Sequence, residues 1–255
     1  MITPHQVLVT MYSFRGINAK KNVKKVYNDY AEKHHKDKVS SSSAWCSETI
    51  MATFIKLGGV NLMGGLARYS GAFVRHFKAI GIWKGGHDRI PNPGDIAIFQ
   101  DKNGKPNHTE MVISVNKDKG TFFAVSGNYL GNVGTKTRKI HGSNIHGYGC
   151  PKYDTELEVT PKIVEKVLSG KYGKGASFGS ARYNKLAIDH YNPNAVQDKV
   201  NWVIKTAKAI KDGDADAVRK YGNDQQRKDA LGKWYDTVQK QINVLYGIDS
   251  WEAKV

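Results

Sequence analysis

The chain has 255 residues, 40% of them hydrophobic, and carries 39 Lys and Arg against 23 Asp and Glu, a net charge of +16. That is enough apolar material for one good core or two modest domains. Two cysteines about a hundred residues apart exclude a disulfide framework and a structural zinc site. No apolar run approaches the length of a membrane span, and the opening MITPHQVLVTMYSFRG lacks the charged-then-apolar layout of a signal peptide. The expectation is a soluble protein made in the cytoplasm, with no membrane insertion. Up to residue 160 there are 22 basic and 12 acidic residues, and beyond it 17 and 11. Positive charge spread over both parts suits a polyanion, whether nucleic acid, anionic lipid or an anionic wall polymer.

Taken in chain order, the spacing of Val23, Val26, Tyr27 and Tyr30 predicts an amphipathic helix over 21–34. After the run SSSS, Cys46, Ile50, Phe54 and Leu57 line one face of a second helix, which Gly58-Gly59 ends. A third helix is expected over 66–80. The period then changes to two. PNPGDIAIFQD reads as a turn and a strand over 95–100, NHTEMVISVN as a second strand, and TFFAV from Thr121 as a third, with NKDKG as the turn between the last two. Helices followed by an antiparallel meander predict an α+β domain over 1–153.

A linker over 154–162 follows, and beyond it the pattern is helical and duplicated. Val196/Val238, Gln197/Gln239, Val200/Ile242 and Asn201/Asn243 share an offset of 42 residues. Arg182/Arg227 differ by 45 and Gly173/Gly222 by 49, so small insertions separate the copies. Two modules of about 40 residues, 163–205 and 206–248, are expected to be binding modules, being too small for a buried active site.

Cys46 stands where a thiolate would be favoured, in the first turn of a helix whose unpaired N–H groups carry partial positive charge. Ser43 is the expected N-cap. On position alone, a small apolar cysteine on a buried face explains Cys46 better. The strands add weight to chemistry. His108 lies ten residues before Asp118, the centre of the turn, and Asn128 ten after it. Symmetric pairing would set the two side chains on neighbouring strands about 5 Å apart between Cβ atoms. An amide oxygen there could hold one imidazole N–H and leave the other nitrogen free as a base. Cysteine, histidine and an orienting amide make a thiol-protease arrangement. His34-His35 reads as a solvated face, and His76, His87, His141 and His146 lack metal-ligand spacing. Cys150 reads as an inert thiol. Trp45 could flank a cleft or pack against the sheet.

AWCSETIMATFIKLGG, LARYSGAFVRHFKAIG, PNPGDIAIFQDKNGKPNHTEMVISV and AVSGNYLGNV together resemble the CHAP family of cysteine, histidine-dependent amidohydrolases and peptidases, over residues 39–153. The order Trp-Cys, Pro-Gly-Asp, His, Gly-Asn carries the resemblance. It implies a papain-like fold of helices on an antiparallel sheet, with Cys46 as nucleophile, His108 as general base and acid, and Asn128 orienting His108. Many members have Glu two residues before the Asn. This chain has Ser126, at best an accessory there. Some members bind calcium ahead of the cysteine, where this chain reads KDKVSSSS, so no metal and no cofactor are expected. The back part resembles the short wall-binding repeat of phage endolysins, a three-helix module. By that analogy Arg182, Arg227, Gly173 and Gly222 lie near the binding surface, an exposed Arg forking onto a carboxylate. The competing reading of each Arg is a brace within its own bundle.

Together these readings predict a monomeric phage endolysin that hydrolyses an amide bond of bacterial peptidoglycan, as endopeptidase or N-acetylmuramoyl-L-alanine amidase. It would stay in the host cytoplasm until released to the wall, and nucleic acid would not be a partner. The alternative is a basic nucleic-acid-binding protein with a non-catalytic front domain.

Overall fold

In the computed structural model of the protein, residues 1–251 are described, Asp224 by its backbone alone. The chain divides between Thr155 and Glu156 into two compact units. Among the described residues no helix is long and apolar enough to cross a membrane.

The first unit is α+β. Its helices are α1 (Pro4–Tyr12), α2 (Ala19–Lys33), α3 (Cys46–Lys56) and α4 (Ser70–Ala79), with a short 3-10 turn at Val60–Met63. The strands are β1 (Trp83–Gly85), β2 (Ile96–Gln100), β3 (Pro106–Asn116), β4 (Thr121–Tyr129), β5 (Asn132–Lys139) and β6 (Ile145–Gly149). They form one antiparallel sheet in the order β1-β6-β2-β3-β4-β5. Helix α1 was not expected from apolar periodicity. It starts where Thr3 caps the N–H of Gln6 and Pro4 takes the first turn, a position that needs no N–H donor. β5 also lacks a strong pattern, because TRK at its end lies largely in solvent.

Helices α1 and α3 pack on β3 and β4, and α4 on β1, β3 and β6. The central strands are buried on both faces. Ile98 and Met111 are buried, and so are Ala97, Phe99, Val112, Phe122 and Tyr148 in a second cluster. Burial on both faces explains why IAIF reads as a continuous apolar run rather than a clean alternation.

The hairpin departs from perfect symmetry. Asn116 pairs with Thr121 and Ser114 with Phe123, a bulge intervenes, and Val112 then pairs with Ala124 and Met111 with Val125. The ladder stops there. Gly127 comes so close to α3 that a Cβ built on it would overlap the Thr49 side chain. Asn128 follows with φ 61°, inside a register shift between Ser126 and Tyr129 after which β4 pairs again with β5, Tyr129 with Asn132.

The second unit comprises α5 (Pro161–Leu168), α6 (Ala181–Ile188), α7 (Pro193–Lys211), α8 (Ala215–Tyr221), α9 (Asp224–Leu231) and α10 (Tyr235–Leu245). Asn192 caps α7 by accepting from the N–H groups of Asn194 and Ala195, and Asp214 caps α8 through Ala217. The division expected between 205 and 206 falls inside α7, which runs unbroken for 19 residues. Ile163, Val167, Val200, Val203, Tyr221, Val238 and Ile242 all join a single core.

The duplicated positions share one hydrogen-bond pattern. Arg182 donates to the Gly173 carbonyl (3.1 Å) and to Gln197 Oε1 (3.1 Å), and Gln197 donates to Asn201 Oδ1 (2.9 Å). Arg227 donates to the Gly222 carbonyl (2.7 Å) and to Gln239 Oε1 (3.1 Å), and Gln239 donates to Asn243 Oδ1 (3.2 Å). Both guanidinium groups thus tie a glycine turn to the following helix. Arg227→Ala is expected to destabilise the second unit by about 1–3 kcal/mol, since the Gly222 carbonyl and Gln239 lose charged donors. The shift in urea midpoint checks this, with any loss of ligand binding tracking the fraction unfolded.

Candidate active site

Cys46 is the first residue of α3 and is 5% exposed. The N-cap is Trp45, with no side-chain cap bond, and not Ser43. Ser43 instead donates to Glu48 Oε1 at 2.7 Å. Its hydroxyl also accepts from Lys24 Nζ at 2.6 Å, and that ammonium reaches the Ser40 carbonyl (2.6 Å) and Glu48 Oε2 (2.8 Å). Lys24 lies on α2 and Glu48 in the first turn of α3, both buried. The serine run is therefore a structured turn folded around a buried ion pair, which holds the start of the Cys46 helix against α2.

The pair is fully hydrogen-bonded, so its integrity depends on both partners. Lys24→Met is expected to cost about 3–5 kcal/mol, because it leaves Glu48 buried without a counterion. Urea unfolding checks the value, and Lys24→Met/Glu48→Leu should recover most of the loss.

Trp45 packs in the core at 1% exposure rather than flanking a cleft. Thr49, one turn on, donates its hydroxyl to the Trp45 carbonyl at 2.7 Å. The backbone N–H of Cys46, at the first helical position, has no intrahelical acceptor and is available as an oxyanion donor.

His108, on β3, stands close enough to Cys46 for each to act on the other's ionisation. Its Nε2 lies 3.2 Å from Glu110 Oε1, which leaves Nδ1 as the ring nitrogen for the thiol. The imidazole is 27% exposed and Glu110 1%. Arg138, on β5, closes the chain with two bonds to Glu110, from Nε to Oε2 at 2.9 Å and from Nη2 to Oε1. Its guanidinium also stacks over Phe99 at 4.8 Å, and the Phe99 ring flanks His108 at 5.8 Å between centroids.

The result is a buried line of thiol, imidazole, carboxylate and guanidinium. Burial pushes the Cys46 thiol up, but its hydrogen bond to His108, the charge of His108 and bonds from Thr109 overcome it and hold the thiol below its usual range. Burial works against the imidazolium too, yet the bonds to Cys46 and Glu110 push His108 up to about 9. Burial likewise opposes ionisation of Glu110, and Arg138 and His108 outweigh it. Each group therefore favours the other's charged form, thiolate beside imidazolium.

His108 has its folded value raised and Cys46 lowered. The ion pair is present above the depressed thiol value and is lost as pH rises through about 9. The two groups titrate as a pair. Alkylation of Cys46 by iodoacetamide is accordingly expected to set in below the normal thiol range, and to move to higher pH in His108→Gln.

Asn128 is not brought to His108. It is exposed, left-handed at its backbone, and beyond the end of the β3–β4 ladder. Ser126 is buried opposite Gly134 of β5. The partner of the His108 ring is Glu110, which sequence reasoning missed. Its signal was His-Thr-Glu on a strand, since period two sets residues 108 and 110 on one face. Cys150 donates to the Tyr148 carbonyl and faces Arg89, and burial pushes its thiol up to about 11. Among the described residues no cluster of three or more His, Cys, Asp or Glu could hold a metal ion. No family model, curated protein or solved structure matches this chain.

Proposed function

We propose that the first unit is a papain-like thiol hydrolase of the CHAP type, and that the second consists of two three-helix wall-binding repeats. The observation that carries this reading is the Cys46–His108–Glu110–Arg138 line at a helix N-terminus. A thiolate paired with an imidazolium is a nucleophile with its acid already in place.

Cys46 attacks an amide carbonyl carbon, and its own backbone N–H stabilises the developing oxyanion. The imidazolium of His108 protonates the amine as the C–N bond breaks, leaving a thioester. Neutral His108 then takes a proton from water, whose oxygen attacks the thioester. Collapse releases the carboxylate and restores thiolate and imidazolium. Glu110, fixed by Arg138, orients the ring throughout and favours its charged form. In this reading the bond is an amide of bacterial peptidoglycan, cut by an endopeptidase or N-acetylmuramoyl-L-alanine amidase, and the chain acts as a phage endolysin. The net charge of +16 favours retention on an anionic wall.

The test is mass spectrometry of fragments released from purified Gram-positive peptidoglycan. New amino and carboxyl termini at one type of amide bond support the reading and name the bond. Release of sugar reducing ends alone, or no release, overturns it.

A further inference from the structure

A second polar cleft lies in the first unit, lined by none of the residues that form the thiol–imidazole line. It has a volume of about 460 Å³ and is bounded by α2, the segment after it, and α4 with the loop that leads into it. Lys36, Arg68, Arg75 and His76 line it against a single carboxylate, Asp37. Asp37 meets Arg68 at 3.4 Å, both of them solvent-accessible. Arg75 donates to the Tyr69 hydroxyl at 2.8 Å and lies over that ring, a contact that holds the guanidinium in place without neutralising it. Two cationic side chains are therefore left without a carboxylate.

Two enclosed polar atoms border the same space. Tyr27 lines the cleft and is wholly buried, and its hydroxyl has no hydrogen-bond partner. Burial pushes that phenol well up, and the charges acting on it are those of Arg68, Glu48 and Asp37. His76 Nδ1 is also enclosed and unpartnered. Buried polar groups are seldom left unpaired, and here two of them flank a concave surface of net charge +2. At Gly64, φ 73°, an added Cβ would crowd the His76 carbonyl and Cβ, so the loop lies close against α4 there.

We infer that this cleft binds an oxyanion, a carboxylate or a phosphate, with Arg68, Arg75 and Lys36 supplying charge and Tyr27 and His76 supplying directed donors. The carrier of that group rests on the wall-hydrolase reading: a stem-peptide carboxylate, or the phosphate of a polyol-phosphate wall polymer. The oxyanion chemistry does not depend on that reading.

The experiment is a 1H–15N titration of the full chain with inorganic phosphate, glycerol 3-phosphate and N-acetyl-D-alanine, at constant ionic strength set by chloride and without peptidoglycan. A saturable shift confined to Gly64, Gly65, His76 and their neighbours is expected, weakened at least tenfold in Arg68→Gln/Arg75→Gln. A stronger response to glycerol 3-phosphate assigns the site to the phosphate polymer, and a stronger response to N-acetyl-D-alanine assigns it to the peptide. No saturation, shifts spread over the lysine-rich surface, or binding undiminished in the double variant overturns the inference. Arg75→Gln alone, at an exposed position, serves if the double variant does not fold, and the location of the wild-type shifts decides without any variant. Because no substrate is hydrolysed, failure here and failure of the hydrolase reading are separate results.

Discussion

Cys46→Ala is expected to lower the rate of amide hydrolysis on purified walls by about 10⁴- to 10⁶-fold, the loss typical of removing an attacking atom from a group of residues that act as a unit. The fold should survive. Cys46 fills a small buried place at the start of α3, and the helix is anchored from the other side by Lys24, Ser43 and Glu48. Thermal unfolding should therefore move by only a few degrees, while retention on walls stays at the wild-type level. Turbidity loss and fragment release measure the first effect, and pelleting with walls measures the second. Wild-type hydrolysis by Cys46→Ala would place the nucleophile elsewhere.

Glu110→Gln tests how the imidazole is held. The amide is nearly isosteric and still offers an oxygen to Arg138, but it cannot stabilise an imidazolium as a carboxylate does. Turnover is expected to fall by about 10²- to 10⁴-fold, as when a histidine loses the acidic partner that sets its orientation and tautomer. The carboxylate contributes to holding His108 at about 9, so the alkaline limb of the rate profile should move toward neutrality in the variant. The direction follows from the sign of the coupling: removing an anion disfavours the protonated ring. Alkylation of Cys46 at neutral pH should slow in parallel. A variant that loses turnover with an unmoved alkaline limb would make Glu110 a packing residue.

Much of this site was legible in the chain, for reasons that differ by residue. The apolar spacing of Ile50, Phe54 and Leu57 and the Gly58-Gly59 stop identify the helix of Cys46, and period two identifies β3 and β4. Asn128 misled because symmetry about the turn assumes an unbroken ladder. The β3–β4 ladder ends at Met111 and Val125, short of His108 and Asn128, where Gly127 approaches Thr49. That end answers to packing against α3, which the strand pattern alone does not reveal. Arg138 sits 28 residues from Glu110 on an edge strand with little apolar pattern. Lys24 and Glu48, 24 residues apart, carry no pattern that pairs them, and only the fold buries them together. The duplication was plain from repeated Val, Gln and Asn. That each Arg turns inward to a Gly carbonyl was one of two readings open at that point.

The unbroken α7 has a consequence for how the second unit came to be and how it comes apart. A duplicated sequence invites the picture of two beads on a string, each able to melt or be deleted alone. Here the last helix of one copy continues into the next, and Val200 and Val203 share a core with Val238 and Ile242. Unfolding either copy strips apolar cover from the other, so the pair behaves as one cooperative folding unit. Once that merger existed, shedding one copy meant rebuilding the other, and the duplication became difficult to reverse.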